Sequence, residues 1–239
     1  MGLYRVKCAD KPENWITEDF HLKHAFNIEM MQASLEKASS PVSYSWIVKN
    51  LITKNFAGNP KRTLDVGCGF GRGIVAFQNA VGLDICLPYL RTARNYTPHE
   101  YVLADAQSLP FRSEIFDFVS MTEVIEHLNT PEKSIDEIIR VLVRDGKFAV
   151  QTPNNKVTGH MIDKKYGHMR EYSRKEIVDM LKEKGLKIEA VTGSTIPYIP
   201  TTHKWFNFNF NRPFFILWKT MNRIVPLRWD IIILGRKTT

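Results

Sequence analysis

The chain's 239 residues are enough for one α/β domain with additions and a full core, and 44% hydrophobic with 24% charged residues is ordinary for a soluble globular protein. Thirty-three basic against 25 acidic residues leave a net charge of +8, which suits an anionic partner such as nucleic acid, a phosphorylated substrate or a membrane surface, and equally a generally basic enzyme. Cys8, Cys68 and Cys86 show neither a paired motif nor zinc spacing and point to a reducing, cytoplasmic compartment; with no opening apolar run and no stretch of about 18 apolar residues, neither a signal peptide nor a spanning helix is expected.

Residues 1–60 read as a helical lead-in. Phe20, Leu22, Ala25, Phe26, Ile28, Met31 and Leu35 recur at roughly helical spacing, and a second helix is predicted from Ser43 to Asn55 before Asn59-Pro60 punctuates the boundary. Beyond Arg62, short apolar runs alternate with helical segments. The predicted strands are Thr63–Val66, Ala80–Leu83, Tyr101–Leu103, Phe116–Met121 and Lys147–Thr152, with helices near 72–79, 87–94, 132–143 and 173–184. Such alternation implies βαβ units and a parallel sheet, whose ligands bind beyond the carboxyl ends of the strands. Two further apolar runs follow Gly185, Leu186–Thr192 and Trp229–Leu234, separated by a segment rich in aromatic residues.

The densest signal is Leu64-Asp65-Val66-Gly67-Cys68-Gly69-Phe70-Gly71-Arg72-Gly73. Strand-forming residues lead into alternating glycines, and Ile74 opens the helix predicted over 72–79. A strand, a tight turn and a helix start bring backbone close to a nucleotide-like ligand, where Cβ atoms would block both the turn and the approach. A dinucleotide fingerprint G-x-G-x-x-G counted from Gly67 would place its third glycine where this chain has Arg72. Here the glycines fall at Gly67, Gly69 and Gly71, with Asp65 ahead of them. Asp84 ends the second strand, where an acid can accept hydrogen bonds from both ribose hydroxyls, although it could also cap the helix that follows. Asp105 ends the third strand in Leu103-Ala104-Asp105-Ala106-Gln107-Ser108-Leu109-Pro110-Phe111, a segment that alone would pass as a surface turn.

The fourth strand runs into Thr122-Glu123-Val124-Ile125-Glu126-His127-Leu128, followed by Pro131, a helix ending Arg140-Val141-Leu142, and a fifth strand closing on Thr152-Pro153-Asn154. This succession resembles the class I methyltransferases that use S-adenosylmethionine (SAM), in the type 11 and type 12 subgroups, from about residue 62 to 192. One departure is Arg144-Asp145-Gly146, where the family usually has Lys-Pro-Gly-Gly in a turn. The resemblance implies a Rossmann-like α/β fold with a seven-stranded, mostly parallel sheet flanked by helices. Residues 1–60 would form a helical cap, residues 61–239 the methyltransferase domain, and about 194–228 an aromatic insert on the substrate side. It also implies roles. Gly67, Cys68, Gly69 and Gly71 would hug the methionine and ribose of SAM, Asp65 orient the methionine amino group, Asp84 and Ile85 hold ribose, and Asp105 with Ala106 the adenine edge, with Thr122 also at the cofactor. Glu126, His127 and His168 would face the acceptor, with oxygen favoured as the methylated atom. A nicotinamide-dependent oxidoreductase sharing the glycine turn is the competing enzyme class, and a SAM fold retained as a binding module the non-enzymatic one.

Glu123, Glu126 and His127 stand at i, i+3 and i+4, so a helical Thr122–Leu128 would turn all three to one side of the pocket. Two carboxylates and an imidazole suit Mg²⁺, Mn²⁺, Zn²⁺ or Fe²⁺, and His168 in Gly167-His168-Met169-Arg170-Glu171-Tyr172 offers a further ligand. The set resembles ubiquinone-biosynthesis O-methyltransferases and small-RNA 3′-terminal 2′-O-methyltransferases, which implies a metal that holds vicinal hydroxyls and acidifies one of them. The alternative needs no metal: Glu126 braces the SAM pocket and His127 is a general base or a structural hydrogen-bonder.

By the same resemblance the pocket roof comes from 15–55, Asn154–Tyr172 and Ser194–Arg228. The last holds Trp205, Phe206, Phe208 and Phe210 among cations such as Lys204 and Arg212. Such a segment suits packing over a small-molecule pocket first, a lipid-like substrate or peripheral membrane contact second, and base stacking on RNA third.

Overall fold

The structure, a computed structural model, describes residues 4–5, 50, 52–154, 167–193 and 230–238. Eight strands form one sheet: β1 (Tyr4–Arg5), β2 (Thr63–Val66), β3 (Ala80–Asp84), β4 (Glu100–Leu103), β5 (Phe116–Thr122), β6 (Leu142–Pro153), β7 (Leu186–Thr192) and β8 (Asp230–Lys237). Their order across the sheet is β1-β4-β3-β2-β5-β6-β8-β7. The pairs from β1 to β6 are parallel, and β8 inserts antiparallel between β6 and β7. The seven longer strands are the mostly parallel sheet expected of the sequence. The eighth corrects the helical reading of the lead-in at one point: Tyr4 and Arg5 pair in register with Val102 and Leu103 at the sheet edge.

Alternating strand residues serve two faces. Val119 and Met121 of β5, with Ile231 and Ile233 of β8, meet Ile135 and Ile138 of helix α2 (Pro131–Val141) and Ile177 and Leu181 of helix α3 (Arg174–Glu183). Phe118, Ile232 and Leu234 face the other way, onto Ile74, Phe77 and the partly buried Ile52 and Phe56. Helix α1 (Leu87–Tyr96) places Leu90 and Ala93 against Cys68 and Tyr101. Full burial of each large side chain stabilises the fold by about 1.5–3 kcal/mol, so the sheet between two covered faces is the rigid frame of the site.

Three local predictions change. The helix predicted over 72–79 is one 3₁₀ turn, Ile74–Ala76. Only residues 67–79 link β2 to β3, and the glycine turn consumes most of them before β3 begins. The strand predicted from Lys147 begins at Leu142, because Arg144-Asp145-Gly146 is a bulge within β6: Phe116 pairs with Leu142 and Phe118 with Lys147, and Asp145 has φ +59°. The second predicted helix is seen at residues 50 and 52–57 and closes on Gly58, whose φ of +75° lets its amide reach Lys54 O at 2.9 Å. The helix read through Phe20–Leu35, the segment 155–166 and the aromatic insert 194–228 lie outside the described residues. No helix among the described residues is long and apolar enough to cross a membrane.

Candidate active site

Four strand ends open on one edge of the sheet. At the first, the amides of Gly67 and Cys68 both donate to Leu83 O, at 2.7 and 2.9 Å, folding the turn back over β3. Gly67 has φ +69°, and a Cβ there would run into Val124 Cγ2, so the glycine lets the turn close against the exit of β5. Gly69 has φ +52°, and a Cβ there would meet none of the described residues within 4 Å. Among the described residues the turn is thus packed on one side and open on the other.

Asp84, at the end of β3, is fixed by this turn. Its Oδ2 accepts the amide of Gly69 at 2.8 Å and its Oδ1 that of Cys86 at 2.8 Å. Ile85 beside it is half-buried.

Asp65 lies beneath the turn, 4% exposed. It pairs across the sheet with Ser120, whose Oγ donates to Asp65 Oδ1 at 2.7 Å, and a Cβ on Gly73 would come within 2.8 Å of Oδ2. Burial pushes the Asp65 carboxyl up to about 7, against the pull of the Ser120 hydrogen bond, and the charge of Asp84 adds to the rise. Cys68 is buried and unbridged, and burial together with those two acids pushes its thiol well up, so it packs as an inert thiol.

Asp105 follows β4 and is half-buried, with Ala106 buried behind it. Its Oδ1 accepts the amide of Gln107 at 2.9 Å, an Asx turn that fixes the carboxylate.

The exit of β5 departs from the helical expectation. Thr122, half-buried, ends the strand; Glu123 takes φ +55°; and Ile125–His127 makes a single 3₁₀ turn. Glu123 is tied to β6 twice: its amide donates to Gln151 O at 3.0 Å, and its Oε1 accepts Gln151 Nε2 at 3.1 Å. The i, i+3, i+4 spacing therefore does not bring Glu123 into one ligand set with Glu126 and His127. Glu126, His127 and His168 do come together, each offering a ligand atom within 4.8 Å of the others. Glu126 is wholly buried, and its Oε2 accepts Thr152 Oγ1 at 3.1 Å. The amides of Met169 and Arg170 donate to Glu126 O at 2.8 and 3.2 Å, which draws the downstream segment onto the turn. His127 Nδ1 lies 3.1 Å from Gly167 O, and the two imidazoles meet edge to face at 4.9 Å.

Residues 64–150 match a protein family described as a methyltransferase domain, a stretch that spans the glycine turn, Asp84, Asp105 and Glu126-His127. That stretch is a methyltransferase domain. An uncharacterized protein of Methanocaldococcus jannaschii is 28% identical over 213 residues, 76% of this chain and 84% of its own length. The demethylmenaquinone methyltransferase of Renibacterium salmoninarum is 32% identical over 95 residues, 38% of this chain and 40% of its own. A solved SAM-dependent methyltransferase of Thermotoga maritima shares the fold, with a TM-score of 0.65 at 19% identity over 91% of this chain and 98% of that one. These matches support methyl transfer rather than hydride transfer as the activity. The methyltransferase domain also contains residues that sequence reasoning passed over. Ser120 became visible only through the register that sets it beside Asp65, and Gln151 through its two contacts with Glu123.

Proposed function

We propose that this methyltransferase transfers the methyl group of SAM to an oxygen of a small-molecule or lipid-like acceptor. SAM supplies the methyl on a sulfonium; the protein must align the acceptor, exclude water and take the hydroxyl proton. The space beside Gly69 that no described residue fills, next to the amide held on Asp84, supports an adenosyl group at this turn. Asp84 with Ile85 would hold ribose, Asp105 with Ala106 the adenine edge, Asp65 the methionine ammonium, and Gly67 to Gly71 and Thr122 the remainder of the donor.

The observation that carries the reading is the place of Glu126, His127 and His168. They cluster at the exit of β5, the strand paired directly with β2, whose own exit is the glycine turn. That supports an acid–base cluster beside the methyl-bearing end of the donor. A carbonyl only accepts, so His127 Nδ1 donates to Gly167 O and Nε2 is the basic nitrogen. That nitrogen takes the acceptor proton, and the buried Glu126 carboxylate stabilises the imidazolium. Two imidazoles and a carboxylate also fit a divalent cation such as Mg²⁺, Mn²⁺ or Zn²⁺. Glu126, His127 and His168 would hold it, and it would supply Lewis acidity to a hydroxyl.

A relative named for demethylmenaquinone supports a lipid-like acceptor, and the net charge of +8 supports peripheral contact with an anionic membrane on the cytoplasmic side. Methyl transfer from labelled SAM to phenolic acceptors with and without a lipid tail, beside an RNA with a free 3′ end, tests the reading. Methylated phenol is expected, more with the tail. Methylation of the RNA alone contradicts it. Activity lost to a chelator and restored by one of these ions assigns the cation; full activity in excess chelator removes it.

A further inference from the structure

The connection that carries Asp105 contains no helix or strand between β4 and β5. A free loop of that length would be costly to order around a ligand. Here α2 ties it down from end to end. The amide of Thr130, just ahead of α2, donates to Gln107 Oε1 at 3.0 Å. Glu137 Oε2 accepts the amide of Leu109 at 2.6 Å. Arg140 Nη2 donates to Leu109 O at 2.9 Å, and Nη1 to Phe111 O at 2.7 Å. At the end of α2 the carbonyls of Arg140 and Val141 accept the amides of Glu114 and Ile115, both at 2.9 Å.

Glu137 and Arg140 also lock each other. Arg140 Nε and Nη2 donate to Glu137 Oε1 and Oε2, each at 2.7 Å. A half-exposed ion pair one helical turn apart ordinarily contributes little. This pair differs because Glu137 Oε2 and Arg140 Nη1 and Nη2 also bond loop backbone, next to the buried Leu109 side chain. The planar guanidinium reaches two carbonyls and a carboxylate at once, a geometry that lysine does not reproduce. From Leu109 the restraint passes through Gln107, whose amide holds Asp105 Oδ1.

We propose that Glu137 and Arg140 are positioning residues for the purine end of the SAM site. They hold the 105–111 loop so that the Asp105 carboxylate meets the adenine 6-amino group. The inference rests on the SAM reading above. Neither side chain touches the donor; both act by pre-organising the loop before it binds.

The test is calorimetric titration of the full chain with S-adenosylhomocysteine and with its inosine counterpart, which replaces the 6-amino group by oxygen. The wild-type protein is expected to prefer the adenosyl ligand by at least about tenfold, the scale of one good hydrogen bond. Arg140→Met should weaken the adenosyl ligand by about tenfold and leave the inosine ligand within about twofold, so that the preference collapses. A merely structural role would weaken both equally, and that result, or an undiminished preference, overturns the proposal. Should Arg140→Met not fold, Arg140→Lys decides by the same ratio: it keeps the charge and loses the fork, so a reduced preference supports the proposal and a wild-type preference overturns it. A wild-type chain that binds neither ligand contradicts the SAM reading itself, and the proposal with it.

Discussion

Gly69 gives its amide to Asp84 Oδ2 at 2.8 Å, so the glycine turn and the acid at the end of β3 form one hydrogen-bonded unit. Asp84→Ala leaves the amides of Gly69 and Cys86 without that acceptor, at about 1–3 kcal/mol for each that stays dry. A fall of several degrees in Tm is expected by thermal melt. Titration should also show a loss of at least about tenfold in S-adenosylhomocysteine affinity. Asp84→Asn should hold Tm more nearly while still losing affinity.

Two glycines of the same turn should respond in opposite ways. Gly67→Ala sets a Cβ into Val124 at a left-handed φ, so about 1–2 kcal/mol of backbone strain is joined by overpacking of about 1–3 kcal/mol. Gly69→Ala carries the backbone strain alone, because its Cβ meets none of the described residues. Thermal melts should rank Gly67→Ala well below Gly69→Ala. Titration should nonetheless show Gly69→Ala deficient in ligand binding, since its new methyl stands where the ligand is expected.

Asp65 makes stability depend on pH. Its carboxyl rises from 3.8 to about 7 on folding, so the folded chain keeps a proton that the unfolded chain has released. Stability from this group is therefore full below about pH 4, falls as pH rises toward 7, and is flat beyond, by at most roughly 4 kcal/mol. Denaturant titrations across that window should show the slope, and Asp65→Asn should flatten it. An ammonium on the ligand favours the ionised carboxyl. SAM should accordingly bind more tightly as pH rises through 7, an effect that Asp65→Asn removes.

Much of this was legible in the sequence, and the failures have physical causes. β2 and β7 fall on their predicted bounds, because each is a short strand-forming stretch followed at once by a glycine. The turn, Asp84 and Asp105 were legible because each sits at a strand end. Glu123 was misplaced because spacing presumes a helix, whereas its left-handed φ breaks the run and Gln151 captures it. The 3₁₀ turn at Ile74–Ala76 was overestimated because periodicity carries no information on the length of chain left before β3. Arg140 and Ser120 act through partners 29 and 55 residues away, and no local pattern announces such pairs.

The separation of Glu123 from the histidines gives a direct contrast. Glu123→Gln should keep most methyl transfer, since its carboxylate serves Gln151. Glu126→Gln and His127→Ala should each lower kcat by about 10²-fold or more, the scale of a lost general acid–base group. Steady-state kinetics with one acceptor separates them. Equal losses in Glu123→Gln and Glu126→Gln would return Glu123 to the acceptor cluster.

The central claim is that the glycine turn and the acids at the ends of β3 and β4 hold the adenosyl group of SAM. Calorimetric titration of the pure protein with SAM, S-adenosylhomocysteine and NAD tests it most directly. The account predicts saturable heat from the first two, diminished by Asp84→Ala, and none from the dinucleotide. Heat from NAD, with silence from both adenosyl ligands, would contradict it.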